Sequence, residues 1–251
     1  MKPLLLSILT GLACSVSSLH AVEPEQLEVP LEPLSAEVEL GVIATTGNTE
    51  SSALKGKAVI KQDFREWKNK YQLDALYKRN TYEGKDEATA QRVFLSAQSD
   101  YKLSPENSSV FVFGSYTDDR FSGYEYQNTI AVGYSKRLFA NQDSFLDYNI
   151  GPGYSFNRTD EGALDDTVIV HLQVEYEYNF SSEVKFTQTL GSDVALESNK
   201  NTISKSESAI TSKLRDNLSM KASYNMTHNS EALDLKAKTD TTTSITMIYS
   251  F

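Results

Sequence analysis

Between residues 168 and 180 every even position is apolar: Val168, Val170, Leu172, Val174, Tyr176, Tyr178 and Phe180. The odd positions hold His171, Gln173, Glu175, Glu177 and Asn179, after Thr167 and broken only by Ile169. A period of two belongs to an extended strand with one apolar and one polar face. At roughly 3.3 Å per residue the run covers about 40 Å, whereas a soluble sandwich strand is usually about five or six residues. A strand this long can cross a hydrocarbon layer obliquely, its apolar face toward lipid and its polar face toward an interior.

The same period recurs along the chain. Val38, Leu40, Val42 and Ala44 alternate with polar or small neighbours; Gly47-Asn48 turns the chain, and Leu54, Gly56, Ala58 and Ile60 share a face opposite Lys55, Lys57 and Lys61. Gly and Asn tolerate the positive φ that a tight hairpin needs. Tyr71 to Tyr77, 88–103, 109–117, 125–139, 146–154, 184–190, 201–214 and 218–227 continue the series. The chain closes on Ile245, Met247, Tyr249 and Phe251, each separated by one residue. Segment 109–117 contains VFVFGSY at 110–116, apolar on both faces at its start, and its phase is ambiguous; 201–214 is weakly patterned. The count predicts an all-β fold, an antiparallel transmembrane up-and-down β-barrel of about twelve strands. A soluble secreted β-sandwich or lipocalin-like barrel is the other architecture open. Longer connections are expected near 80–86, 118–124 and 155–165, with short ones after the first, ninth and eleventh strands.

Composition agrees. No apolar run reaches the roughly 20 residues of a membrane-crossing helix, and the mean hydropathy is -0.41. A barrel tolerates that, because only alternate residues face lipid. A net charge of -10 without a long basic patch argues against nucleic acid as a partner.

Residues 1–21 read as a secretory signal peptide: Lys2, an apolar core from Leu4 to Val16, and Ala21 before the cut. Residues 22–34 form a short Glu- and Pro-rich arm, and 35–251 the barrel domain. Cys14 leaves lipid attachment as an alternative processing route. Cleavage after Ala21 removes the only cysteine, and with it any disulfide.

The polar face is where a site is expected. Glu37, Glu39, Lys55, Lys57, Lys61, Lys70, Asp74, Lys78, His171, Glu175, Glu177 and Lys221 fall in phase as a lumen charge network. Such charges line a solute path or pair into a plug. Ile245, Met247, Tyr249 and Phe251 are expected to face lipid, their strand pairing with residues 36–46. His171 is read as a network member before any chemical role, and His228 as outward. The acidic pairs Asp118-Asp119, Asp160-Glu161 and Asp165-Asp166 are expected in solvated loops. No phosphate loop, CxxC, HExxH or calcium loop is present, so no cofactor or metal is expected.

The closing strand resembles that of bacterial outer-membrane barrels. That resemblance implies outer-membrane lipid and the outer-membrane barrel assembly machinery as partners, the terminal aromatic being the assembly signal. Glu39-Leu40-Gly41, Thr45-Thr46-Gly47-Asn48-Thr49, the Lys-rich return strand, Tyr71 to Tyr77 and Tyr101-Lys102-Leu103-Ser104 together resemble the salt-induced outer membrane protein family over roughly 35–251. The resemblance implies fold and location and brings no substrate, cofactor or catalytic residues. Three functions stay open: a narrow porin-like channel for small solutes or ions, a structural or envelope-stress barrel with a plugged lumen, and, with least support, a membrane lipase-type enzyme. The expected reading is that of a non-enzyme.

Overall fold

The computed structural model describes residues 34–45, 50–82, 85–103, 107–120, 122–231 and 238–251. The signal segment and residues 22–33 of the arm lie outside these. Twelve strands follow in order: β1 (Leu34–Thr45), β2 (Glu50–Asp63), β3 (Trp67–Tyr82), β4 (Lys85–Leu103), β5 (Ser108–Asp119), β6 (Tyr124–Ala140), β7 (Ser144–Thr159), β8 (Thr167–Asn179), β9 (Val184–Ala195), β10 (Ile203–Arg215), β11 (Leu218–Asn229) and β12 (Thr239–Ser250). Each pairs antiparallel with its sequence neighbours, and β1 pairs with β12 to close the ring. Closure removes the free edges that an open sheet of such length would expose. Leu34, assigned to the arm from sequence, is the first residue of β1, opposite Gln62.

The connections depart from expectation. Residues 80–82, 85–86 and 118–119 are strand, with Tyr82 opposite Lys85 and Asp119 opposite Tyr124. Asp118-Asp119 therefore ends β5 instead of lying in a loop. The 155–165 loop begins only after Thr159, because β7 runs that far. The wide connections are 160–166, 196–202 and 230–238, the last two of which the sequence suggests to be short. Polar residues near a barrel rim carry no apolar alternation, yet their backbones still pair. The hydrogen-bond ladder outlasts the hydrophobic pattern that reveals it. For the same reason the clearest sequence strand, β8, is shorter at 13 residues than β4 at 19.

Side chains sort by parity. Leu40, Val42, Leu54, Leu73, Val112, Ile130, Val132, Ile245 and Met247 point away from the ring and are exposed, while Glu39, Asp74, Asp100, Thr129, His171, Lys221, Ser244 and Thr246 point inward and are buried. This inside-out distribution is that of a membrane barrel, not of a soluble one. Outward aromatics collect at two heights. Trp67, Tyr101, Phe139, Tyr178, Phe180, Tyr249 and Phe251 mark the end where β1 starts and β12 finishes, and Tyr77, Tyr116, Phe156 and Tyr224 the other. From Trp67 to Tyr77 along β3 is about 33 Å, or about 25 Å of height at the usual strand tilt, which is the apolar band of an outer-membrane barrel.

Candidate functional site

Register fixes what enters the lumen. Opposed pairs Glu39↔Lys57, Lys57↔Asp74 and Lys61↔Lys70, Asp147↔Glu175 and Gly151↔His171, and Lys221↔Thr246 all lie on one continuous inner face. Along it fall Glu37, Glu39, Lys55, Lys57, Lys61, Lys70, Asp74, Lys78, His171, Glu175, Glu177 and Lys221. Lys78 shares the face but is exposed, above the crowded region.

The densest cluster gathers at the β1–β12 closure. Glu39 accepts a hydrogen bond from Thr246 Oγ1 at 2.7 Å, with Lys221 Nζ at 3.3 Å and Lys55 Nζ at 3.5 Å. Lys221 also donates to Glu207 at 2.7 Å, and Lys57 lies 3.7 Å from the same carboxylate. Two carboxylates and three ammoniums thus compensate one another where neither sign could stand alone without a large desolvation cost. Glu39 and Lys221 are 5% and 7% exposed, so this cluster is a closed wall.

A second contact crosses the bore. Lys70 on β3 reaches Glu175 on β8 at 3.5 Å, five places away in the ring of twelve. About a third of each side chain remains exposed. Beside it, Lys185 pairs with Glu177 at 3.2 Å. Glu37, Lys61, Lys70, Glu175 and Glu207 line a cavity of about 370 Å³ in the half of the barrel where β1 starts and β12 finishes. Farther along, Asp74 holds Arg92 at 3.6 Å.

His171 sits on the opposite wall. Its Nδ1 is 2.6 Å from Asp193 Oδ1, whose other oxygen accepts from Thr129 at 3.2 Å. The imidazole stacks on Phe113 with centroids 4.5 Å apart and meets Phe111 edge-on at 6.0 Å. Two glycines make room. Phe111 lies opposite Gly133 and His171 opposite Gly151, and a Cβ at Gly151 would stand 2.0 Å from the Val132 carbonyl oxygen. The clash is with backbone, so these glycines let β6 and β7 approach closely beside the rings. Nε2, the nitrogen that would take a proton from a nucleophile, has no hydrogen-bond partner among the described residues.

Residues 38–251 match the family described as "Protein of unknown function, DUF481". The chain belongs to DUF481. A relative in Escherichia coli (strain K12), "Uncharacterized protein YdiY", is 23% identical over 223 residues, covering 87% of this chain and 84% of its own. Among solved structures, an outer membrane channel from Pseudomonas putida F1 is similar with a TM-score of 0.52 at 11% identity. The likeness covers 92% of this chain and 100% of that one. At such identity it is a likeness of fold.

Several residues of this DUF481 lumen are absent from the sequence-based set: Glu207, Arg92, Asp193, Phe111, Phe113 and Lys205. Glu207 and Lys205 were recoverable, since Ile210 and Leu214 face outward and place the odd positions of β10 inside. Phe111 and Phe113 were not, because VFVF offers both phases. Ile245, Met247, Tyr249 and Phe251, expected from sequence to face lipid, are all exposed on the outer face. The seam is narrower than 36–46, its ladder running only from Glu37↔Ser250 to Leu40↔Met247. His228 is outward, 2.8 Å from Thr239 Oγ1. At the far rim Lys200 donates to Asp165 at 3.0 Å, a bond that holds its ammonium above the ordinary lysine range. No group of three or more His, Cys, Asp or Glu suited to a metal occurs among the described residues.

Proposed function

We propose that this DUF481 barrel resides in the bacterial outer membrane as a non-enzymatic, narrow channel for small ions and solutes. The observation that carries the reading is the Lys70–Glu175 contact, a partly solvated ion pair that spans the bore. A pair of this kind in contact with water is worth little, about 0–1 kcal/mol, so thermal motion opens it. The outward apolar band between two aromatic girdles supports lipid as the surrounding solvent, and the fold shared with an outer membrane channel supports the same class. Mixed charge along this cavity imposes by itself no sharp selection of one ion. Assembly machinery acting on the strand that ends in Phe251 is part of the same reading.

The second reading, a structural or envelope-stress barrel, draws on the closed Glu39–Lys221–Glu207 wall and on the resemblance to the salt-induced family. Planar-bilayer recording of the refolded protein separates the two. Small discrete steps are expected, with conductance rising about twofold or more in the Lys70→Ala/Glu175→Ala double variant. Silence in both proteins would sink the channel and leave the structural barrel.

A further inference from the structure

One contact across the bore involves no carboxylate. Lys205 on β10 places its Nζ 4.8 Å from the centroid of the Phe94 ring on β4, six places away around the ring. These are facing walls, so the contact spans the full width. Register points both side chains inward: Phe94 lies opposite Asp74 and Thr117, Lys205 opposite Gly191 and Thr227. Gly191 leaves open space beside the lysine; a Cβ there would meet nothing nearer than 3.9 Å. Lys205 is exposed although it faces inward, so water in the lumen reaches it.

Two carboxylates near it are engaged elsewhere: Asp74 holds Arg92, and Asp193 holds His171 and Thr129. They sit on the wall, whereas an ammonium reaching from β10 toward β4 sits near the axis. Coulomb interaction falls with distance, so the axial charge is the one that a passing ion meets first.

We infer that Lys205, latched on Phe94, is the selectivity gate of the lumen and gives it a preference for small anions. The inference rests on the channel reading above. An aromatic face holds a wet ammonium only weakly. An arriving anion competes with the ring for that ammonium, draws Lys205 off Phe94 and opens the path, while a cation is repelled by the same charge. No covalent step is involved.

Reversal potentials in planar bilayers under a KCl gradient test this, with folding of every variant checked by heat-modifiable gel migration. Wild type should reverse toward the chloride potential and Lys205→Gln toward zero. Lys205→Glu should reverse toward the potassium potential. Phe94→Leu, which keeps bulk and removes the ring face, should retain the anion preference and open more often. Arg215→Glu, at the exposed end of the same strand, should leave the reversal potential unchanged. A conducting wild type whose reversal potential is the same in Lys205→Glu overturns the gate and spares the channel. No conductance in any variant, Phe94→Leu and the Lys70/Glu175 pair included, overturns both.

Discussion

Lys221 shows how much a single lumen residue carries. It is nearly fully buried and contacts both Glu39 and Glu207, while Lys55 and Lys57 each reach only one of them. Removing it leaves two carboxylates with less positive charge than they need, in a region where little water can replace it. Breaking a buried pair from one side costs about 3–5 kcal/mol, because the remaining charge is stranded. Lys221→Met is therefore expected to lower the urea midpoint of the refolded barrel strongly. Lys213→Met, whose exposed partner Asp216 is 3.9 Å away, should change it by no more than about 0.5 kcal/mol. Equal midpoints for the two variants would show that the closure cluster is solvated after all.

At the scale of elements, the seam is the weak joint. The β1–β12 ladder holds Glu37↔Ser250, Val38↔Tyr249, Glu39↔Ile248 and Leu40↔Met247, whereas β11–β12 pairs from Leu218↔Tyr249 through His228↔Thr239. One backbone hydrogen bond of 2.9 Å, from Phe251 N–H to the Ala36 carbonyl oxygen, continues it beyond Ser250. Opening a barrel requires one ladder to part first, and the shortest is the cheapest. A disulfide between Val38→Cys and Tyr249→Cys should slow unfolding in urea by more than one between Ala58→Cys and Leu73→Cys, an opposed pair deep in the β2–β3 ladder. Unfolding kinetics with and without reductant measure both, and an equal effect would place the first opening elsewhere. The sequence could not show this joint. Alternation tells which way Glu39 and Leu40 point, since one face meets lipid and the other does not. It holds no information on how far a ladder runs, because backbone groups pair irrespective of side chain. Rim strands such as Arg79 to Tyr82 were hidden for that reason. Contacts across the bore were hidden for another. That Lys70 meets Glu175, and Lys205 meets Phe94, depends on ring size and stagger, which are set only when β1 finds β12.

For the molecule as a whole, the inside-out arrangement makes a demand that no soluble fold makes: two adjacent residues should respond in opposite ways to the same charge. Leu73 and Gln72 lie midway between Trp67 and Tyr77, at mid-height of the apolar band. Leu73 points outward and is exposed, while Gln72 lines the interior cavity with Lys70 and Glu175. An arginine at Leu73 would sit in hydrocarbon, at a cost of about 2–4 kcal/mol at the bilayer midplane. An arginine at Gln72 would meet water and the Glu175 carboxylate, with a change expected within about 0.5 kcal/mol. In a soluble barrel the ordering inverts, because outward Leu73 would meet water and inward Gln72 a dry core. Urea titration of both variants refolded into lipid vesicles reads the difference directly. A larger loss for Gln72→Arg than for Leu73→Arg would remove this chain from the membrane, whatever its fold resembles.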